Sequence, residues 1–158
     1  MLEMPQIILA IDINAPIQTC FDLARDAAFH VESTRESGEI IVAGKKSGLF
    51  ELSDEVTFEG RHFGVRQRLS ATIVEMNAPH SFTDEMTRGV FAELRHVHQF
   101  ETLPNGQTRM TDVLVWRSPL GILGKVADKL AIEAHLRRFL KRRGRRIKAR
   151  AETQTSTL

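Results

Sequence analysis

The chain has no tyrosine, one cysteine (Cys20) and one tryptophan (Trp116) among its 158 residues. A single cysteine excludes an internal disulfide and suits a reducing cytoplasm. Because no basic residue is adjacent to Cys20, we interpret it as a small core residue and not as a reactive thiol. The lack of tyrosine excludes a phenolic acid of the kind that some isomerases use.

Long apolar runs and several catalytic motifs are also missing. The first apolar run, Ile7 to Ile11, is too short for a secretory signal, and no segment is long enough to span a bilayer, so we expect a cytoplasmic protein. The sequence has no Gly-x-Ser-x-Gly elbow and no Cys-x-x-Cys pair. Residues 38–46 only mimic a phosphate-binding loop, because Lys46 stands where that motif requires Ser or Thr.

Positive charge is concentrated near the C-terminus. Residues 137–150 contain nine Arg or Lys and no acidic residue, which leaves 13 basic and 20 acidic residues elsewhere. We interpret this tail as a solvated helix face that complements the helix dipole. The alternative is an interaction module in which Arg137–Arg150 makes weak contact with an anionic membrane surface. Specific nucleic-acid binding is not expected, because Phe139 is the only aromatic residue of the tail.

The spacing of apolar residues changes along the chain. Gln6–Ile13 is predicted to be a strand, a helix follows Pro16, a second helix covers Ala27–Ser33, and Glu39–Ala43 is a further strand. From Glu55 the period becomes two, with turn signals at hairpin spacing. The strands predicted there are Glu55–His62, Val65–Met76, Ser81–Thr87, Phe91–Thr102 and Gln107–Arg117. This is an antiparallel meander and not a βαβ dinucleotide fold.

Ser118 to about Arg150 is predicted to be one long amphipathic helix. Its apolar stripe contains Leu120, Leu123, Val126, Ala127, Leu130, Ala134, Phe139 and Leu140. A helix of this length must bury its stripe on the preceding strands, and a curved sheet that grips a helix leaves a cavity between the two. We therefore expect one domain over residues 1–151 and a frayed tail over residues 152–158.

Several short segments are similar to segments of one known family. They are Ala15-Pro16, Cys20–Leu23, Glu55–Glu59, His62–Gly64, Phe82–Met86, His96–Phe100, Thr111-Asp112 and Ser118–Gly121. With the order of elements, they resemble the SRPBCC superfamily, in particular its START-like, polyketide cyclase/dehydrase and lipid-transport branch. The resemblance covers nearly the whole chain. It implies an α+β helix-grip fold, in which a curved antiparallel sheet wraps around a long C-terminal helix and two short helices follow the first strand.

Polar residues fall on the strand faces that we assign to the cavity. Residues of equal parity share a face of a strand, and the even face of the strand that contains His96 and His98 is the more apolar one. Folding the hairpins places Asp84 roughly opposite His96 and Asp112 within a residue or two of His98. These four residues form a buried structural network or a site that orients a ligand. The remaining alternatives are an acid–base pair acting on a ketone and a metal site, since two histidines and an acid on one face suit zinc or iron. His30 and His80 are interpreted as surface or cap residues.

Binding or transport of a small hydrophobic molecule, lipid or polyketide-like, is the function we expect. The predicted cavity wall consists of Phe58, Leu69, Met86, Leu94, His96, His98, Asp112, Leu114, Trp116 and Leu123. The alternative is a cyclase or dehydratase that acts on a polyketide-like ketone through His96, His98, Asp112 and Asp84. No cofactor is expected, and no metal site either, because a third convergent ligand is not evident. The sequence does not indicate an oligomeric state.

Overall fold

A computed structural model describes residues 4–119, 126 and 131–157 of the chain. The described part contains seven strands, three α-helices and one short 3₁₀ turn, Arg35–Ser37. The elements in chain order are β1 (Gln6–Ile13), α1 (Ile17–Ala24), α2 (Ala27–Ser33), β2 (Ile40–Gly44), β3 (Glu55–His62), β4 (Val65–Asn77), β5 (Ser81–Arg88), β6 (Glu93–Thr102), β7 (Thr108–Arg117) and α3 (Glu133–Ser156).

The seven strands form one antiparallel sheet in the order β1-β7-β6-β5-β4-β3-β2. Strands β3 to β7 follow one another as hairpins, and β1 closes the edge beside β7. The register shifts once between β2 and β3 and twice between β4 and β5. Each bulge bends its strand and increases the local twist, which curves the sheet around the helical side.

The two short helices form where the sequence has capping and turn residues. Pro16 precedes α1 with an extended backbone, and the missing N–H of a proline costs nothing at a helix start. Asp26 caps α2 by accepting a hydrogen bond from the backbone N–H of Phe29 at 2.8 Å. Cys20 and Phe21 on α1 are fully buried, as expected for Cys20.

Helix α3 turns one face toward β1, α1 and α2. Its buried residues recur at spacings of one, three and four, which is the period of one helix face. They are Leu140, Arg143, Gly144, Ile147 and Ala151. The larger apolar core includes Phe21, Phe82, Phe100, Met110 and Ile147, and a smaller one includes Ile7, Leu114, Trp116 and Leu140.

The C-terminal segment differs from its prediction at both ends. Ser118 and Pro119 are not helical, since the residue before a proline is disfavoured in the α conformation. The tail expected to fray from Glu152 instead stays helical to Ser156, because Ala151 is buried and a side-chain oxygen of Glu152 accepts from the backbone N–H of Asn14. Val126, assigned to the buried stripe, is 53% exposed. The stripe residues Leu120, Leu123, Ala127 and Leu130 lie outside the described residues.

Candidate functional site

A cavity of about 540 Å³ lies between the sheet and α3. Its wall is mainly apolar and draws on β3 to β7 and on the first half of α3. Six of the ten residues predicted for the wall belong to it: Phe58, Leu69, Leu94, His96, His98 and Leu114. Asp84, a candidate acid–base residue, also lines the cavity.

The other four predicted wall residues have different places. Leu123 lies outside the described residues, and Met86, Asp112 and Trp116 are not part of the wall that the described residues form. Asp112 is buried beside the two cavity histidines. Trp116 is fully buried in the smaller core with Leu140 of α3. Strand alternation alone predicts that this side chain faces the cavity, but packing against the helix covers it.

His96, His98, Asp84 and Asp112 form one hydrogen-bonded network. In the register, Asp84 faces His96 and Asp112 faces His98, close to the arrangement expected from the hairpins. The hydrogen bonds, however, run along the diagonals: Nε2 of His96 lies 2.9 Å from Oδ1 of Asp112, and Nε2 of His98 lies 2.9 Å from Oδ2 of Asp84. Nδ1 of His98 is also 3.0 Å from Oδ1 of Asp112, at ion-pair distance but without hydrogen-bond alignment.

The two imidazoles of this network have opposite pKa displacements. Burial lowers the pKa of His98, but the close carboxylates of Asp112 and Asp84 outweigh burial, so that the pKa of His98 is raised. Burial and the neighbouring His98 hold the pKa of His96 below its ordinary value. Burial opposes ionisation of both carboxyls, yet the imidazoles lower the pKa of Asp112 strongly and that of Asp84 as well. Of the two imidazoles, His98 is therefore the one that more readily holds a proton.

The same donors have a composition that suits a metal ion. Ligand atoms of Asp84, His96 and His98 all lie within 4.8 Å of one another. Two imidazoles and a carboxylate are the ligands of many zinc and iron sites. Here the close nitrogens are already hydrogen-bonded to carboxylates, and the nearby cation Arg143 opposes a second positive charge. In this structure the four side chains form a hydrogen-bonded polar patch beside the cavity.

A second polar cluster, which the sequence did not predict, also lines the cavity. Glu39 accepts from Nε2 of His30 at 2.9 Å and lies 3.4 Å from Nε2 of His62. Nδ1 of His62 lies 2.9 Å from Nε2 of His135 on α3. The expectation that His30 is a surface or cap residue is wrong, because it is mostly buried and stacks on Phe58 with ring centroids 4.2 Å apart. His80 is exposed, as expected.

Glu39 is held ionised inside this second cluster. Burial raises its pKa, but hydrogen bonds from His30 and His62 outweigh burial and lower the pKa to about 2. The stem of Glu39 packs directly over Gly60: a Cβ at that position would lie 2.6 Å from Cγ of Glu39. The glycine on β3 thus makes room for a buried carboxylate at the cavity wall.

The basic tail is largely engaged within the protein. Five of its nine cations bond to other protein groups: Arg137, Arg143, Arg146, Lys148 and Arg150. The interpretation as a solvated face is wrong for Arg143, which is buried and lines the cavity. Arg138, Lys141, Arg142 and Arg145 are exposed, and their spacing places them on one face of α3.

Solved structures with the same architecture are numerous. A START superfamily protein from Mycobacterium smegmatis superposes with a TM-score of 0.70 at 16% identity, over 95% of this chain and 99% of that chain. A protein of Thermus thermophilus gives 0.71 at 18% identity, over 93% and 99%. The ginseng major latex-like protein 151 from Panax ginseng gives 0.69 at 14% identity, over 94% and 97%. The chain has a START-like helix-grip fold.

Sequence comparison adds no closer relative to this fold assignment. No protein-family model matches the chain, and no curated protein matches it by sequence. Among the helices formed by the described residues, none combines the length and the apolarity needed to cross a membrane. The chemistry of the site therefore has to be inferred from this chain's own residues.

Two of the missed cavity residues had a detectable signal in the sequence. His62 shares its parity on β3 with Phe58, which the sequence did place in the cavity. Arg143 lies three residues after Leu140 and four before Ile147, so it falls on the buried face of α3. Glu39 and His135 had no such signal, because each reaches the cluster through a contact with His62, which is far from both in the chain.

Proposed function

We propose that the protein binds and carries a small, predominantly apolar molecule in the cavity between the sheet and α3. The observation that carries this proposal is the cavity itself, about 540 Å³ with a mainly apolar wall. Ligand pockets for small molecules have volumes of about 300–1,000 Å³ and combine apolar walls with a few polar groups. The two polar clusters supply such groups, and the START-like fold is consistent with this use.

Filling the cavity from one wall tests this function. Ala71 is a buried wall residue of β4, and Ala71→Trp would place an indole in the cavity. Val74 is exposed on the same strand, so Val74→Trp is the matched control. We expect the purified wild type to retain a small apolar molecule in native mass spectrometry and to melt at a higher temperature with added fatty acids or alcohols.

Both signals should be lost in Ala71→Trp and kept in Val74→Trp. Absence of a retained molecule, together with no shift of the melting temperature by any apolar probe on the wild type, would refute the carrier function. Equal binding by Ala71→Trp and the wild type would place the ligand elsewhere.

A second candidate is acid–base chemistry on a bound ketone. It is favoured by one observation, the opposite pKa displacements of His96 and His98 on one cavity wall. Pairs of titratable groups whose pKa values are pushed apart supply a base and an acid at the same pH. The neutral imidazole of His96 would take a proton from the carbon next to the carbonyl, while the imidazolium of His98 would stabilise the enolate oxygen.

Hydrogen–deuterium exchange separates the two functions without knowledge of the natural substrate. A simple bicyclic ketone, 2-tetralone, is incubated with the protein in D₂O, and deuterium at its α-carbons is measured by mass spectrometry. An enzyme should accelerate this exchange, and His98→Ala or Asp112→Asn should remove the acceleration while weakening ketone binding far less. A carrier gives the same exchange rate as buffer in all three proteins.

A further inference from the structure

Arg143 is the charged member of the buried face of α3. Its neighbours on that face are Leu140, Gly144, Ile147 and Ala151, and only 4% of Arg143 is exposed. The side chain nevertheless lines the cavity. A guanidinium keeps its positive charge even when it is buried.

Most of the hydrogen-bonding capacity of Arg143 is unused. Nη2 donates to the carbonyl oxygen of Ala24, at the end of α1, at 2.7 Å. Nε and Nη1, which together carry three N–H bonds, have no hydrogen-bond partner among the described residues. Within the same part of the chain no carboxylate lies at ion-pair distance from Arg143, although its charge is among those that lower the pKa of Asp84.

An arrangement of this kind is costly unless a ligand completes it. A buried donor without a partner costs about 1–3 kcal/mol, and a buried charge without a counter-charge costs more. Two other arginines of α3, Arg146 and Arg150, have carboxylate partners on the 3₁₀ turn and on α2. Arg143 therefore differs from its neighbours on the helix: it borders the cavity, and Nε and Nη1 have no hydrogen-bond partner among the described residues.

We propose that Arg143 binds the carboxylate of an apolar carboxylic acid, whose hydrocarbon part lies along Phe58, Leu69 and Leu94. This inference rests on the proposed carrier function and specifies its ligand class. A carboxylate satisfies the free N–H groups and the charge together, and charge-assisted bonds to guanidinium are about twice as strong as neutral ones. A hydroxyl or an amide would bring no negative charge within hydrogen-bond distance of the guanidinium. A phosphate monoester, with a second negative charge, would be repelled by Asp84 nearby.

Two probes of equal chain length test the charge of the ligand. Decanoic acid and decan-1-ol differ only at the polar end, and their affinities are measured by displacement of a fluorescent apolar probe at pH 7.5. We expect the wild type to bind the acid about 10- to 100-fold more tightly than the alcohol. Arg143→Met should weaken acid binding to the level of the alcohol and leave alcohol binding unchanged. Arg142→Met, at an exposed neighbouring position, should change neither affinity.

A spectroscopic readout reports the state of the bound acid directly. The carboxyl carbon of decanoic acid labelled with ¹³C should keep the chemical shift of the carboxylate below the pH at which the free acid becomes protonated. If Arg143→Met does not fold, Arg143→Gln takes its place in the affinity and chemical-shift measurements. Glutamine keeps a hydrogen-bond donor toward Ala24 but has no charge. Protonation of the bound acid at its ordinary pH would overturn the proposal.

The outcomes separate this inference from the carrier function. Equal affinities of the wild type for the acid and the alcohol, or equal losses of both in Arg143→Met, would overturn the carboxylate proposal and leave the carrier function in place. Failure of the wild type to bind either probe, with no retained molecule in native mass spectrometry, would overturn both.

Discussion

Nδ1 of His62 lies 2.9 Å from Nε2 of His135, so a hydrogen bond between two imidazoles joins the β3–β4 hairpin to the beginning of α3. Phe63, at the tip of the same hairpin, packs on the ring of His135 with centroids 4.4 Å apart. A hydrogen bond between two imidazole nitrogens requires that one of them accepts, so at least one ring must be neutral. Burial, His62, Arg138 and Arg142 lower the pKa of His135, which favours its neutral form.

This contact makes stability dependent on pH in one direction. Because the pKa of His135 is lower in the folded than in the unfolded protein, the unfolded state binds more protons below about pH 6.5. The stability that neutral His135 provides is complete above that pH, and it is lost as the pH falls through the pKa that His135 has in the folded protein. In urea unfolding between pH 7.5 and 5, we expect the wild type to lose more stability than His135→Phe. The control His80→Phe, at an exposed site, should follow the wild type, and parallel curves for all three proteins would contradict the prediction.

Within the network of His96, His98, Asp84 and Asp112, we expect substitution of Asp112 to reduce the stability of the protein most. Asp112→Asn removes the carboxylate that faces both imidazoles, and loss of one partner from a buried ion pair costs about 3–5 kcal/mol. Urea unfolding at pH 7 measures this loss. The control is Asp12→Asn on β1, which breaks an exposed ion pair with Arg109 of β7. This substitution should change stability little. Similar stabilities of the two variants would show that the inner network is not an ion-paired one.

Glu39 should contribute stability above pH 4.5 that is lost toward pH 2. Its pKa is lowered in the folded state from 4.5 to about 2, so the folded protein favours the carboxylate, and the unfolded chain takes up the proton first as the pH falls. We expect Glu39→Gln to lose about 3 kcal/mol at pH 7. The difference from the wild type should shrink as the pH is lowered from 4.5 toward 2. A difference that is constant over this range would mean that the charge of Glu39 does not matter.

The exposed cations of α3 are expected to bind vesicles only weakly. Arg138, Lys141, Arg142 and Arg145 are the members of the tail that remain exposed. Four such charges near an anionic surface correspond to a dissociation constant of about 1 mM. In cosedimentation at 0.1 M salt with micromolar protein, we therefore expect little protein to bind either neutral or anionic vesicles. Saturable binding to anionic vesicles that disappears at high salt, and in a variant with all four residues changed to Ala, would establish the membrane-docking alternative.

The strands and the inner network were predictable because both depend on short-range periodicity. Gln6–Ile13 and Glu55–His62 begin and end as predicted, since alternation and turn residues define a strand locally. Once hairpin turns are located, the register follows, and with it the proximity of Asp84 to His96 and of Asp112 to His98. The diagonal pairing of their hydrogen bonds was not predictable, because side-chain rotation is decided by packing.

The curved meander, the terminal helix and the strand face that carries His96 and His98 could be read from the sequence alone. This is so because alternation and helical spacing act between near neighbours. The burial of Arg143 and the meeting of His62 with both His135 and Glu39 follow from the tertiary structure alone. Those contacts depend on the rotation and position of α3 against the sheet, and burial of a charge is decided by what surrounds it in space.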